Sequence, residues 1–242
     1  MKKEETLNAA AARQAASPHS PIRTVLFDLD GTLADTAPDL AHALNALLQE
    51  QGRAPLPFES IRPVVSHGAT ALVRLGFAID PAAQEFAALR NRLLDLYQQH
   101  LARETRLFRG MPELLTELEQ RHLAWGVVTN KPSFLTQPLM AAFGLDTRAA
   151  CIVCGDTTAN KKPHPEPMLH ACRLAGSHAA HCLFVGDAER DIRAGRAAGM
   201  FTLVALFGYI GPEDRPETWG ADGLITEPAG VLSWLEASLS QG

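Results

Sequence analysis

Thr24-Val-Leu-Phe-Asp-Leu-Asp-Gly-Thr32 leads an apolar run of strand type into two carboxylates, Asp28 and Asp30, and then into a turn at Gly31. On a strand, side chains two positions apart point the same way. The spacing therefore predicts that both acids face one pocket. Two like charges in one pocket repel, so a partner has to offset the cost. A divalent cation and a phosphoryl group are the natural candidates.

Three segments further along complete the pattern. Val127-Val-Thr129-Asn130 ends a second apolar run with a hydroxyl. Lys162 opens Lys162-Pro-His-Pro-Glu-Pro167, and Leu183-Phe-Val-Gly-Asp187 ends a third apolar run, with Asp191 four residues later. With these four motifs in this order, the chain resembles the haloacid dehalogenase-like (HAD) hydrolase superfamily. The resemblance spans about residues 22–227.

From residue 108 onward, apolar runs alternate with amphipathic stretches. The strand candidates are 123–129, 151–154, 182–186, 201–206 and 223–226. The helix candidates are 112–120, 134–143, 165–174, 190–198 and 228–239. Such alternation implies a parallel sheet covered on both faces, a Rossmann-like doubly wound α/β core. The first strand, 25–29, is separated from the rest by residues 36–108, whose character differs. Thr36 is placed to cap a helix with Leu40, Leu44, Leu47 and Leu48 on one face. Phe86, Leu89, Leu93, Leu96 and Leu101 make a second helical stripe, and Pro55, Pro57 and Pro63 punctuate the loop between them. The expected organisation is a core of residues 21–35 and 109–242 interrupted by a helical cap domain at 36–108, the place where the resembled family carries one. In open parallel sheets ligands bind at the carboxyl ends of the strands, and Asp28, Thr129 and Asp187 each end an apolar run.

The bulk properties exclude several classes. A net charge of −5 offers no basic surplus for nucleic acid or an anionic membrane. No apolar stretch approaches the ~20 residues of a spanning helix. In residues 1–20, Lys2 and Lys3 are followed at once by Glu4 and Glu5, and Arg13 and Gln14 break the Ala run. The segment reads as a flexible or weakly helical tail rather than a targeting peptide. Cys151 and Cys154 form a CxxC, but they lie in an apolar run with no second CxxC or matching His pair. All four cysteines read as reduced, buried thiols of a cytoplasmic protein, either monomer or homodimer.

The motifs assign roles. Asp28 is the candidate nucleophile, giving an aspartyl phosphate and splitting a hard hydrolysis into two steps. Asp30 is the candidate general acid and base, close to the nucleophile but not on it. Thr129 and the Asn130 N–H would hydrogen-bond phosphoryl oxygens. Lys162, rather than the adjacent Lys161, matches the family lysine standing directly before Pro, and supplies positive charge. Asp187 and Asp28, with the Asp30 backbone carbonyl, would ligate a metal. The resemblance implies that Asp191 orients water or pairs with the lysine. Four acids need a cation beyond Lys162, and all-oxygen ligation suits Mg²⁺. His164 reads as a loop residue.

Family dehalogenases lack the second acid of the first motif, so Asp30 argues for phosphoryl chemistry. The expected activity is hydrolysis of a small phosphomonoester metabolite. A phosphomutase of the β-phosphoglucomutase type shares the motifs. A non-catalytic binding protein would have lost Asp28, Asp30, Lys162 or Asp187, and all four are present. The segments Asp35-Thr-Ala-Pro-Asp-Leu40, Arg62-Pro-Val-Val-Ser-His-Gly-Ala69, Trp125–Pro132 and Gly208–Asp214 resemble phosphoglycolate phosphatases, in particular a proteobacterial branch acting partly on N-acetylmuramic acid 6-phosphate in peptidoglycan recycling. This chain has His67 where a small residue is expected. His67, Arg62 and Arg74 are candidate substrate selectors, and Tyr209 and Trp219 are placed either to stack on a sugar or to pack their loop on the core.

Overall fold

The computed structural model describes residues 22–240, so the expected N-terminal tail lies outside the described residues. Six parallel strands form the main sheet: β1 (Thr24–Phe27), β4 (Ala124–Val128), β5 (Cys151–Val153), β6 (Cys182–Gly186), β7 (Phe201–Ala205) and β8 (Gly223–Ile225), in the order β5-β4-β1-β6-β7-β8. Two short strands, β2 (Ala34–Asp35) and β3 (Arg106–Leu107), pair antiparallel beside it.

Alternation along each strand feeds two cores. Val25, Phe27, Val127, Leu183 and Val185 pack on one face with α5 (Met111–Gln120), α6 (Ser133–Ala142) and α9 (Gly230–Ser240). Leu26, Val128 and Phe184 pack on the other with α7 (Glu166–Leu174) and α8 (Glu189–Ala198). Both faces are covered, so the strands read as continuous apolar runs, and the doubly wound α/β class is established. The order reverses at β1, which lies between β4 and β6, and a crevice opens outside the strand ends at such a point.

Between β2 and β3 lie α1 (Ala37–Glu50), α2 (Phe58–Ile61), a 3₁₀ turn (Arg62–His67), α3 (Gly68–Phe77) and α4 (Phe86–Gln99). They share an apolar core of their own, to which Leu135 and Tyr209 from the sheet side contribute. The stripes 40/44/47/48 and 86/93/96 are buried as their spacing predicts, while Leu89 and Leu101 are partly buried. The pair β2–β3 forms the stem of this helical insert. Thr36 departs from expectation: its side chain caps nothing, and the hydroxyl is turned to Asp30, donating to Oδ1 at 2.6 Å.

All four cysteines are buried and unbridged, and Cys172 Sγ lies 3.7 Å from Cys182 Sγ. Burial pushes the Cys151 thiol up to about 12, well away from the reactive thiolate. An aromatic disulfide reagent at pH 8 is expected to label none of them in the folded protein and all four after unfolding. Fast labelling of the native protein would contradict this burial.

Candidate active site

Strand β1 stops at Phe27, one residue short of the first acid. The ladder still continues to Asp28, whose N–H donates to Val185 O at 2.9 Å. Leu29 turns into the core, and Asp28 and Asp30 both line one cavity of about 420 Å³ between the sheet rim and the helical insert. The shared facing of the two acids therefore survives although Asp30 lies beyond the strand.

Gly31 makes the turn possible in two ways. Its φ of 84° lies in the left-handed region, and a Cβ there would land on the Asp187 carboxylate. Gly186 is constrained by contact alone, since a Cβ would approach Asp191 Cβ to 2.5 Å. The ends of β1 and β6 thus bring three buried acids, Asp28, Asp187 and Asp191, close enough for one oxygen of each to lie within 4.8 Å of the others.

Lys162 is driven between two of them. Its Nζ lies 3.0 Å from Asp28 Oδ1 and 2.7 Å from Asp191 Oδ1, and it donates to Val128 O at 2.8 Å. Asn130 fixes the lysine by its backbone: Nδ2 donates to Lys162 O and Oδ1 accepts from Lys162 N, both at 3.0 Å. The Asn130 side chain is thus a positioning group, a role the sequence reading did not assign. Thr129 is buried at the end of β4 and lines the cavity, its Oγ1 accepting from Lys131 N at 3.2 Å.

Burial raises the Asp28 pKa against the pull of Lys162, and the Asp191 charge adds to the rise. Burial, Asp191 and Asp28 together push Asp187 up to about 7, although Ser66 Oγ donates to its Oδ2 at 2.6 Å and Tyr209 N at 2.9 Å. Both carboxyls are thus held in surroundings that disfavour bare negative charge. Asp191 spends one oxygen on Lys162 and the other on Ala188 N. Asp28 Oδ2 and Asp187 Oδ1 have weaker partners, Arg190 at 3.9 Å and Thr32 Oγ1 at 3.5 Å. The Asp30 carbonyl receives only a 3.5 Å contact from Ser66 Oγ. These three oxygens are the ones with capacity left for a hard cation, so the donor set fits Mg²⁺.

Two cations went unrecognised in the sequence. Lys131 Nζ lies 2.9 Å from Asp30 Oδ1 and 4.4 Å from the centre of the Tyr97 ring. Burial works against its charge, but Asp30 and Tyr97 outweigh it and hold its pKa above the usual lysine range. Arg190 faces Asp28 and lines the cavity. Four acids therefore meet three basic groups, not Lys162 alone, which removes the charge-balance argument for a metal and leaves the free oxygens to carry it. Sequence did offer signals: Lys131 directly follows Thr129-Asn130, and Arg190 sits between Asp187 and Asp191.

The arrangement has relatives. The family model described as haloacid dehalogenase-like hydrolase matches residues 25–205. The chain belongs to this family. An N-acetylmuramic acid 6-phosphate phosphatase of Pseudomonas putida is 45% identical over 90% of this chain and 98% of its own length. A phosphoglycolate phosphatase of Xanthomonas campestris is also 45% identical, over 85% of this chain and 93% of its own. Among solved structures, a predicted phosphoglycolate phosphatase from Haemophilus somnus superposes with a TM-score of 0.79 at 26% identity, covering 91% of this chain and 99% of that one.

The three candidate selectors separate within this hydrolase. His67 lines the cavity at the start of α3. Arg62 does not. Its guanidinium lies 4.8 Å from the Tyr209 ring centre, donates to Gly208 O at 3.1 Å and pairs with Asp35 at 3.7 Å, which fastens the insert to the core. Arg74 is exposed on a separate groove with Ile79 and Asp80. Tyr209 and Trp219 pack rather than stack. Tyr209 is buried, donates to Asp35 Oδ1 and accepts from Ala37 N; Trp219 packs on Ile192 and Val204. Lys161, set aside in favour of Lys162, is exposed but reaches the cavity wall. His164 stays in its loop, accepting from Glu166 N.

Proposed function

We propose that the protein is a Mg²⁺-dependent phosphoric monoester hydrolase working through an aspartyl phosphate on Asp28. The observation that carries the reading is a buried carboxylate held by Lys162 at the floor of a cavity, with a second acid, Asp30, facing the same space. Asp28 attacks phosphorus while Asp30 gives a proton to the departing oxygen; Asp30 then takes a proton from the water that cleaves the acyl phosphate. Thr129, the Asn130 N–H and Lys162 hold the phosphoryl oxygens as charge redistributes. Lys131 and Thr36 aim the Asp30 carboxyl. When bound by Asp28, Asp187 and the Asp30 carbonyl, Mg²⁺ supplies positive charge to the phosphoryl oxygens and the nucleophile. The substrate is a small phosphorylated metabolite of the kind named for the relatives, 2-phosphoglycolate or N-acetylmuramic acid 6-phosphate. We place the enzyme in the cytoplasm, where buried thiols stay reduced; among the described residues no helix is long and apolar enough to cross a membrane.

Phosphate release from an aryl phosphate is expected with Mg²⁺ and its loss in excess EDTA. Turnover that survives EDTA would overturn the metal assignment, and no turnover with Mg²⁺ would overturn the enzymatic one. The metal-free protein also carries a signature. Asp187, at about 7 when folded, lies above its ordinary unfolded value of 3.8. Its contribution to stability is thus present below about pH 4 and lost as pH rises through about 7. Metal-free protein is expected to melt at a lower temperature at pH 8 than at pH 5, and Mg²⁺ to raise the melting temperature more at pH 8. The opposite order would contradict the metal-site reading.

A further inference from the structure

One wall of the cavity is made by α4, which presents Arg90, Leu94 and Tyr97 to it. Their spacing of four and three residues puts them on one stripe of the helix. At the inner end, Tyr97 lies against Lys131 and so next to Asp30. The Tyr97 side chain is fully buried beneath Lys131, which closes this end of the wall. At the outer end stands Arg90, half-buried. Of the other cations lining the cavity, Lys131 is held by Asp30, Lys162 by Asp28 and Asp191, and Arg190 faces Asp28, while Lys161 stands exposed at the wall with its charge acting on Asp156. Arg90 has no ion pair or hydrogen bond among the described residues.

We infer that Arg90 is a specificity residue that binds a carboxylate at the end of the substrate remote from the phosphate. This deepens the phosphatase reading and rests on it. One guanidinium matches one carboxylate in charge and in its two-pronged geometry. Seven helical residues separate the Cα atoms of Arg90 and Tyr97 by about 10 Å along the axis. In 2-phosphoglycolate three bonds of ~1.5 Å link phosphorus to the carboxyl carbon, at most about 4.5 Å. A substrate that reaches from the Asp30 end of this wall to Arg90 is of sugar size. A sugar acid phosphate meets both demands, as a hexosamine 6-phosphate does when it carries a lactyl ether on the ring.

The test compares N-acetylmuramic acid 6-phosphate with N-acetylglucosamine 6-phosphate, which lacks the lactyl carboxylate, and with 2-phosphoglycolate, on wild type, Arg90→Gln and Arg90→Lys. Wild type is expected to favour the muramic substrate over both others. Arg90→Gln is expected to lose about 10- to 100-fold in kcat/KM on that substrate, chiefly through KM, as for a lost charge-assisted hydrogen bond. Its activity on N-acetylglucosamine 6-phosphate should stay within about twofold of wild type, and Arg90→Lys should recover part of the loss. Equal losses on both sugars, an unchanged KM for the muramic substrate, or a wild type that favours 2-phosphoglycolate would each overturn the role of Arg90. Those results differ from failure of the phosphatase reading itself, in which wild type cleaves no phosphomonoester at all. Arg90 supports no buried ion pair, so melting of Arg90→Gln is expected to match wild type, which separates a recognition defect from a folding one.

Discussion

Asp28→Asn is expected to lower kcat by about 10⁴-fold or more, because the attacking oxygen is lost and nothing near it replaces it. Asp30 is the nearest acid in sequence, but Lys131 and Thr36 hold its carboxyl at 2.9 and 2.6 Å, aimed for proton transfer rather than attack. Asp191 is engaged by Lys162 and Ala188. The fold should tolerate the change. Asparagine has the same shape, and burial already disfavours the Asp28 charge. Lys162 keeps Asp191 and the Val128 carbonyl as partners. Single-turnover phosphate release and thermal melting check both parts. Retention of more than about 1% of wild-type kcat would reject Asp28 as nucleophile, since removing a nucleophile usually costs far more. Loss of the fold would mean that the Asp28 charge, not its shape, holds the floor of the cavity together.

The parts of this site that the sequence displays are those tied to strand ends. Asp28, Thr129 and Asp187 each terminate an apolar run, and a parallel sheet must bring such ends to one edge. Lys162 was identified by its place before proline. What stayed hidden depends on contacts between distant segments. Lys131 meets Asp30 across 101 residues, and Ser66 meets Asp187 across 121. No local periodicity encodes either pairing. Thr36 misled for a related reason: a threonine before a helix is a good cap in isolation, but here its hydroxyl is turned to a carboxylate six residues back and away from the helix N–H groups. Arg62 likewise offered a cation beside a motif, and only the packed loop carrying Gly208 and Tyr209 reveals that its charge is already committed. The elements were legible because burial on two faces leaves a strong pattern; the committed or free state of each charge was not, because that depends on the whole fold.

Lys162→Met should have the largest effect on stability. The Lys162 side chain is fully buried and neutralises two carboxylates that are themselves almost fully buried. Methionine replaces the volume but leaves Asp28 and Asp191 facing each other, with Arg190 at 3.9 Å from Asp28 as the remaining cation. Removing one partner from a buried ion pair costs about 3–5 kcal/mol. For a chain of this size that is a fall of roughly 10 °C in melting temperature at neutral pH. The same substitution on Lys131 should cost less, since Asp30 is partly open to solvent and keeps the Thr36 hydroxyl. Protonation supplies a check on the cause. Loss of the lysine removes the charge that holds the Asp28 pKa down, so that pKa rises further above the unfolded value, and the variant should be most stable in acid and lose stability as pH rises towards neutrality. The double variant Asp28→Asn with Lys162→Met should regain part of the lost stability, because one of the two opposed charges is gone. If Lys162→Met instead melted like wild type at pH 7.5, or if the double variant were less stable than Lys162→Met alone, the Asp28–Lys162–Asp191 cluster would not be held by charge, and the electrostatic basis for a poised nucleophile at residue 28 would fall with it.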